Sequence, residues 1–104
     1  MKEIENYKRL IEEGLYYEAH EALEELWFPI RKTKSDFCLV LKGFINAAVS
    51  MELYKRGKQS QSYKIYLVYK KYVNMKKIDN SGKSKEFMVL KKFIDTHLVK
   101  IHNI

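Results

Sequence analysis

The chain has 104 residues, of which 46% are apolar and 32% are charged, with four glycines and one proline. This composition is too apolar for a disordered chain, and charges interrupt its apolar runs too often for a membrane span. The scarcity of glycine and proline argues against an all-β sandwich, whose strands need a turn about every ten residues. We therefore expect one soluble all-α domain over residues 1–104, an antiparallel bundle of about five helices.

The formal net charge of +7 is unevenly distributed along the chain. Residues 1–30 contain three Lys or Arg and eight Asp or Glu, whereas residues 31–104 contain seventeen and five. A basic surface can bind nucleic acid, but seventeen of the twenty cations are lysines, which are typical of a solvated helix exterior. We therefore do not expect nucleic acid as a partner.

Cysteine content and the first residues of the chain both favour the cytoplasm. A single cysteine, Cys38, cannot form an internal disulfide, and a free cysteine among apolar neighbours is usually a small buried hydrophobe. The first ten residues include no apolar segment of the kind that directs secretion. The sequence therefore predicts a cytoplasmic protein with no membrane partner, and it gives Cys38 no role.

Two short amphipathic helices are predicted first. The apolar spacing of residues 2–13 is helical, and Gly14 is placed to end that helix. A second helix is expected over residues 16–28, where Pro29 prevents a smooth continuation.

The third segment is the most apolar part of the chain. Ser35 is the expected N-cap, and the helix should continue to Arg56, just before Gly57. Apolar side chains cover most of its circumference, which is typical of a helix packed on several sides. We expect this helix at the centre of the core.

Two further helices complete the predicted bundle. The fourth is expected over about residues 60–76 and the fifth from Ser84 onward, with a loop at residues 79–82 between them. The fourth contains four tyrosines that could stack bases, form part of the core or contact another subunit, and they are Tyr63, Tyr66, Tyr69 and Tyr72. Because the third and fourth segments are very apolar for a small bundle, we expect a homo-oligomer or a complex with another protein.

The sequence His20-Glu21-Ala22-Leu23-Glu24 is the most suggestive cluster for chemistry. On a helix His20 and Glu24 share one face, whereas Glu21 points elsewhere. In metalloproteases with the H-E-x-x-H motif, two histidines at this spacing bind zinc. Here Glu24 takes the place of the second histidine, and zinc, iron and manganese all accept imidazole and carboxylate ligands.

Glu52 is the best candidate for a third metal ligand. It lies among apolar residues of the third segment, and a carboxylate buried there without a partner would cost several kcal/mol. The alternative is structural: Glu52 could bond to a tyrosine, to His20 or to Trp27, or pair with Arg56 one turn later. We favour the structural interpretation, because one histidine with carboxylates is a weak metal signature.

Other polar residues of the apolar helices are weaker candidates. Lys42, Asn46 and Ser50 recur every four residues, so they line either a solvent groove or a ligand cleft in which Lys42 holds an anion. We favour the solvent groove. His97 and His102 are five residues apart, so they make a poor metal pair and are expected at the surface.

A family resemblance rests on the first half of the chain. Three segments form the pattern: the motif Gly14-x-Tyr16-Tyr17-Glu18-Ala19-His20-Glu21-x-Leu23-Glu24-x-x-Trp27, then Leu41 to Val49, and then Arg56-Gly57-Lys58. This pattern resembles the family called domain of unknown function 309. The resemblance covers about residues 7–58. It implies a small all-helical cytoplasmic protein of bacteria or archaea, and it marks Glu18, His20, Glu21, Glu24 and Trp27 as the residues to test.

Two functions are therefore compatible with the sequence. The first is a non-enzymatic interaction or assembly module, in which His20 and its neighbouring carboxylates fix helix packing. The second is a metal-dependent, hydrolase-like enzyme. In it His20, Glu24 and Glu52 would bind a divalent metal ion of unknown identity, and Glu21 or Glu18 would transfer a proton.

Overall fold

The computed structural model describes residues 1–102, which form six α-helices, one 3-10 turn and no strand. The helices are α1 (Lys2–Glu12), α2 (Tyr16–Trp27), α3 (Asp36–Lys55), α4 (Gln59–Tyr72), α5 (Met75–Asp79) and α6 (Ser84–His102), and the 3-10 turn is Phe28–Ile30. The predicted all-α class is confirmed. The sixth helix arises because the predicted fourth segment is divided into α4 and α5.

Glycines end α1 and α3, as predicted. Gly14 has a φ of 75° and its N–H donates to the Ile11 carbonyl, while the next N–H, of Leu15, donates to the Leu10 carbonyl at 2.9 Å. The same pair of bonds closes α3 at Gly57, whose φ is 80°. These left-handed positions satisfy the last carbonyls of each helix at little steric cost, because glycine has no Cβ.

Helix α3 is the central helix, and the prediction of its position is confirmed. Its Ser35 N-cap accepts a hydrogen bond from the Cys38 N–H at 3.2 Å, and ten of its residues are buried. The fully buried Phe44 ring lies 6.4 Å from the Tyr7 ring of α1 and 5.9 Å from the Tyr69 ring of α4. Side chains of several helices thus meet on α3 to form one continuous core.

By length and composition alone, α3 would also be able to cross a membrane. Its most apolar 18-residue window has a mean hydropathy of 1.4. The core helix of a folded protein meets the same criterion, and 56% of this window is buried inside the structure. Packing in the core therefore accounts for the composition of α3.

The predicted fourth helix ends earlier than expected, at Tyr72. Val73 and Asn74 leave the helical conformation, and the Asn74 side chain caps α5 by accepting a hydrogen bond from the Lys77 N–H at 3.0 Å. This break sits against α3 at Gly43, where an added Cβ would overlap Val73 Cγ2 and lie 3.2 Å from Tyr72 Cβ. The absence of a side chain at Gly43 therefore lets the α4–α5 junction lie directly on α3.

Helices α4 and α6 are joined by a polar contact at the edge of the core. The Tyr69 hydroxyl donates to Asp95 Oδ1 at 2.6 Å, and Lys91 Nζ pairs with Asp95 Oδ2 at 2.6 Å. Burial, and then the hydrogen bond to the Asp95 carboxylate, raise the pKa of Tyr69 far above its ordinary value. Tyr69 therefore stays protonated and acts as a fixed donor to α6.

Candidate functional site

A pocket of about 280 Å³ lies between the start of α2 and the second half of α3. We call it the α2–α3 pocket, and its lining consists of Tyr16, Tyr17, His20, Val49, Glu52, Leu53 and Arg56. Aromatic and aliphatic side chains supply much of the lining, and His20, Glu52 and Arg56 supply its ionisable groups. Two of the predicted site residues thus share one pocket, although they come from different helices.

His20 and Glu24 form a pair on the same face of α2, as their spacing predicts. His20 Nε2 lies 3.1 Å from Glu24 Oε1, and the His20 ring packs against the Tyr17 ring with centroids 5.6 Å apart. Each group therefore already has a partner within α2. Such a pair fixes the orientation of the imidazole at the pocket.

Glu52 has found its partner one helical turn away. Its Oε2 accepts a hydrogen bond from Arg56 Nε at 2.8 Å, and its side chain is only 21% exposed. Of the partners that the sequence left open, Arg56 is the one that the structure contains. The ion pair explains how a carboxylate is tolerated beside Val49 and Leu53.

The three predicted metal ligands are not gathered around one point. Within residues 1–102, no three His, Cys, Asp or Glu side chains come close enough together to hold a metal ion. His20 contacts Glu24, whereas Glu52 contacts Arg56. Metal binding by His20, Glu24 and Glu52 stays a prediction.

The two candidate proton-transfer residues are both exposed on α2. Glu18 borders a second cavity of about 310 Å³, next to Gly14, that shares Tyr16, Tyr17, Glu52 and Arg56 with the α2–α3 pocket. Glu21 lines neither of these cavities. The prediction that either residue transfers a proton is not tested by this placement.

Trp27, which the sequence analysis named as a possible partner of Glu52, lies at the other end of α2. Its indole Nε1 is buried and has no hydrogen-bond partner among the described residues. Trp27 lines a separate cavity together with Lys42 and other basic residues. The Lys42, Asn46 and Ser50 stripe does not line one groove, because only Lys42 borders this cavity, and Asn46 bonds back to the Lys42 carbonyl.

Ser50 belongs instead to a buried cluster with Ser62 and His102, which the sequence analysis missed. Ser50 Oγ donates to the Ser62 carbonyl at 2.8 Å, and Ser62 Oγ donates to the Ser50 carbonyl at 2.6 Å. His102 Nε2 lies 3.2 Å and 3.3 Å from the two hydroxyl oxygens. The expectation that His102 is a surface residue is wrong, because its ring is half-buried against Tyr54, Tyr63 and Tyr66.

The geometry of this cluster is that of a contact between helices. When each serine hydroxyl donates to the carbonyl of the other serine, His102 Nε2 must carry a proton to bond with the serine oxygens. A histidine that activates a serine must accept its proton instead. A buried serine in an apolar helix, such as Ser50 in α3, was the sequence signal for a helix–helix hydrogen bond.

We expect stability to fall below neutral pH partly because of His102. Burial disfavours the imidazolium and lowers the pKa of His102 below its ordinary value of 6.5. The unfolded chain therefore takes up the proton first, and the stabilisation present above pH 6.5 is lost as the pH falls from that value through the lowered pKa of the folded state. Thermal melts between pH 8 and about 5 should show a shallower decline for His102→Gln than for the unmodified protein. Parallel curves would show that His102 does not contribute.

Comparison with known proteins identifies the family. Residues 4–65 match the family model described as domain of unknown function (DUF309), a region that includes most of α1, all of α2 and α3, and the first part of α4. No curated protein and no solved structure matches the chain. The match covers more than half of the chain and includes His20, Glu24 and Glu52, so it confirms the resemblance seen in the sequence. The protein belongs to the DUF309 family.

Proposed function

We propose that the protein is a non-enzymatic cytoplasmic interaction module, an antiparallel helical bundle that associates with a second copy of itself through the α2–α3 pocket. The observation that carries the proposal is a largely apolar pocket beside exposed apolar side chains. Leu15 is 40% exposed and Tyr17 is 51% exposed at the edge of the pocket and its neighbouring cavity. Such a patch gains free energy when a partner covers it.

Charge complementarity supports a second copy as the partner. The exposed side of α2 beside the pocket is acidic, with Glu18, Glu21 and Glu25 facing solvent. Residues 31–104 of the same chain carry seventeen Lys or Arg against five Asp or Glu. A basic surface of one copy thus complements the acidic α2 surface of another, which favours encounter and fixes orientation.

The side-chain pairing at the pocket also suits recognition of a partner. His20 is paired with Glu24, and Glu52 is paired with Arg56. The pairs give the pocket a fixed polar edge beside its apolar lining, which suits contact with a partner side chain.

The experiment is light scattering coupled to gel filtration over a concentration series. We expect a mass above the monomer that decreases when salt is raised from about 0.1 M to about 1 M, where the screening length falls from about 10 Å to about 3 Å. Tyr17→Ser should shift the protein to the monomer. Val89→Ser removes an apolar side chain that is 58% exposed on α6, and it should leave the mass unchanged.

Two results would contradict the proposal. A monomeric mass at every concentration in low salt would exclude self-association. An equal effect of Tyr17→Ser and Val89→Ser would show that the α2–α3 pocket is not the contact.

The alternative proposal is a metal-dependent, hydrolase-like enzyme, and it is favoured only by the presence of His20 and Glu52 in one pocket. Elemental analysis of untagged protein beside His20→Ala separates the two functions. Stoichiometric zinc, iron or manganese that is lost in the variant would support the enzyme. Equal, negligible metal in both samples, with a loss of stability of about a few kcal/mol in His20→Ala, would support a packing role for the His20–Glu24 pair.

A further inference from the structure

The cavity that Trp27 borders has a volume of about 420 Å³ and is lined by five basic side chains. It lies where the end of α2 and the segment leading into α3 meet the end of α4 and α5, and we call it the basic cavity. Its cations are Arg31, Lys34, Lys42, Lys71 and Lys77. No carboxylate borders the basic cavity, so the lining has a formal charge of +5.

These cations have no acidic partners anywhere in the described part of the chain. The salt bridges of residues 1–102 involve other basic groups, and none includes a side chain from this lining. Arg31, Lys42 and Lys77 are half-buried, which makes their mutual repulsion less screened than that of fully exposed lysines. An anion in the cavity would relieve this repulsion.

Neighbouring aromatic rings hold three of the cations in place. Lys42 Nζ and Lys71 Nζ lie 5.4 Å and 5.5 Å from the centre of the same Tyr72 ring, although they come from α3 and α4. The Arg31 guanidinium lies 3.6 Å from the centre of the Phe28 ring and donates to the Phe28 carbonyl. Cations held in this way lose less conformational freedom when they bind an anion.

One further observation concerns the same cavity. Lys34 has a φ of 54°, the only left-handed residue other than glycine among residues 1–102. Backbone strain of this kind tends to be retained at functional sites. Trp27 also lines the cavity, so its indole is a local reporter of binding there.

We propose that the basic cavity binds a small polyphosphate, the di- or triphosphate group of a nucleotide or the free anion. A volume of about 420 Å³ is that of a site for a small molecule. Five basic residues that line one cavity suit a compact, multiply charged group, whereas nucleic acid would need a basic stripe along an extended surface. We therefore expect a small polyphosphate, and not nucleic acid, as the ligand of the basic cavity.

This inference is independent of the proposed self-association. The α2–α3 pocket is at the start of α2 and the basic cavity is at its end. Tyr17 and Trp27 are ten residues apart, or about 15 Å along the helix axis. Either proposal can therefore fail while the other holds.

The single tryptophan of the chain allows a direct binding measurement. Inorganic triphosphate and ATP are titrated separately while Trp27 fluorescence is excited selectively, with adenosine as the uncharged control. We expect saturable changes with triphosphate and ATP, none with adenosine, and a higher melting temperature in the presence of either anion. Similar affinities for triphosphate and ATP would assign recognition to the phosphates, and a tighter ATP complex would add the nucleoside.

Variants distinguish the cavity from general surface charge. Lys42→Gln and Lys71→Gln should each weaken binding about tenfold or more, since each removes a charge-assisted hydrogen bond to the anion. Lys64→Gln is the matched control, because Lys64 is an exposed lysine of α4 that does not line the cavity. Melting curves without ligand should show that Lys42→Gln and Lys71→Gln remain folded.

Three results would overturn the proposal. The first is the absence of any saturable change with triphosphate in low salt. The second is an equal loss of affinity in Lys64→Gln and Lys71→Gln. The third is that a single-stranded oligonucleotide binds more tightly than ATP and is equally sensitive to Lys64→Gln, which would assign the basic surface to nucleic acid.

Discussion

Replacing Phe44 with alanine should lower the free energy of unfolding by about 3–5 kcal/mol, the largest effect that we expect from a single substitution. The Phe44 ring is fully buried and packs against Tyr7, Tyr69 and Phe87, which come from three other helices. Its removal would leave a cavity at the point where these helices meet α3. Because small domains are stable by only about 5–15 kcal/mol, much of the stability would be lost.

Urea unfolding of Phe44→Ala measures this effect, and Phe28→Ala provides the control. Phe28 is 56% exposed, and its ring mainly contacts the Arg31 guanidinium. Its removal should cost no more than about 1 kcal/mol. Similar losses in the two variants would mean that α3 is not the centre of the core.

The second large effect is expected at Gly43. In an open helix position, alanine is more favourable than glycine by about 1 kcal/mol. Here the new methyl group would overlap Val73 Cγ2 and press on Tyr72 Cβ. Val73 is buried and β-branched, so it cannot easily turn away. We therefore expect Gly43→Ala to destabilise the protein by about 1–3 kcal/mol.

A double-mutant cycle tests the cause of this effect. Val73→Ala removes the methyl group that would be overlapped, so Gly43→Ala should cost clearly less when Val73 is already alanine. A coupling energy of about 1 kcal/mol or more would identify the contact between these residues. If the two losses of unfolding free energy simply add, Gly43 and Val73 are not in close contact, and the α4–α5 junction does not lie directly on α3.

Local sequence signals were sufficient for most of the helix boundaries. Gly14 and Gly57 end helices through left-handed turns, and Ser35 caps α3, because each effect depends only on neighbouring residues. The break between α4 and α5 was missed because neither glycine nor proline marks it. It is fixed by the packing of Val73 on Gly43, a contact across 30 residues, although Asn74 as an N-cap was a visible local signal.

Long-range partners decided what could be predicted of the candidate site. Spacing on one helix was enough to pair His20 with Glu24 and to name Arg56 as a partner of Glu52. The Ser50–His102 contact spans 52 residues and could not be read from spacing. The basic cavity could not be predicted from spacing either. Lys42 could be identified as a candidate anion ligand, but Lys71 and Lys77 reach the same cavity through the packing of the α4–α5 region.

The reciprocal serine bonds between α3 and α4 also bear on how the chain folds. Ser50 and Ser62 are only 12 residues apart, and the helices that they join are consecutive and connected by a short turn at Gly57. Contacts between residues close in sequence form quickly, because little loop entropy is lost in closing them. We expect the contact between α3 and α4 to form early, with α1 and α6 docking onto this pair afterwards.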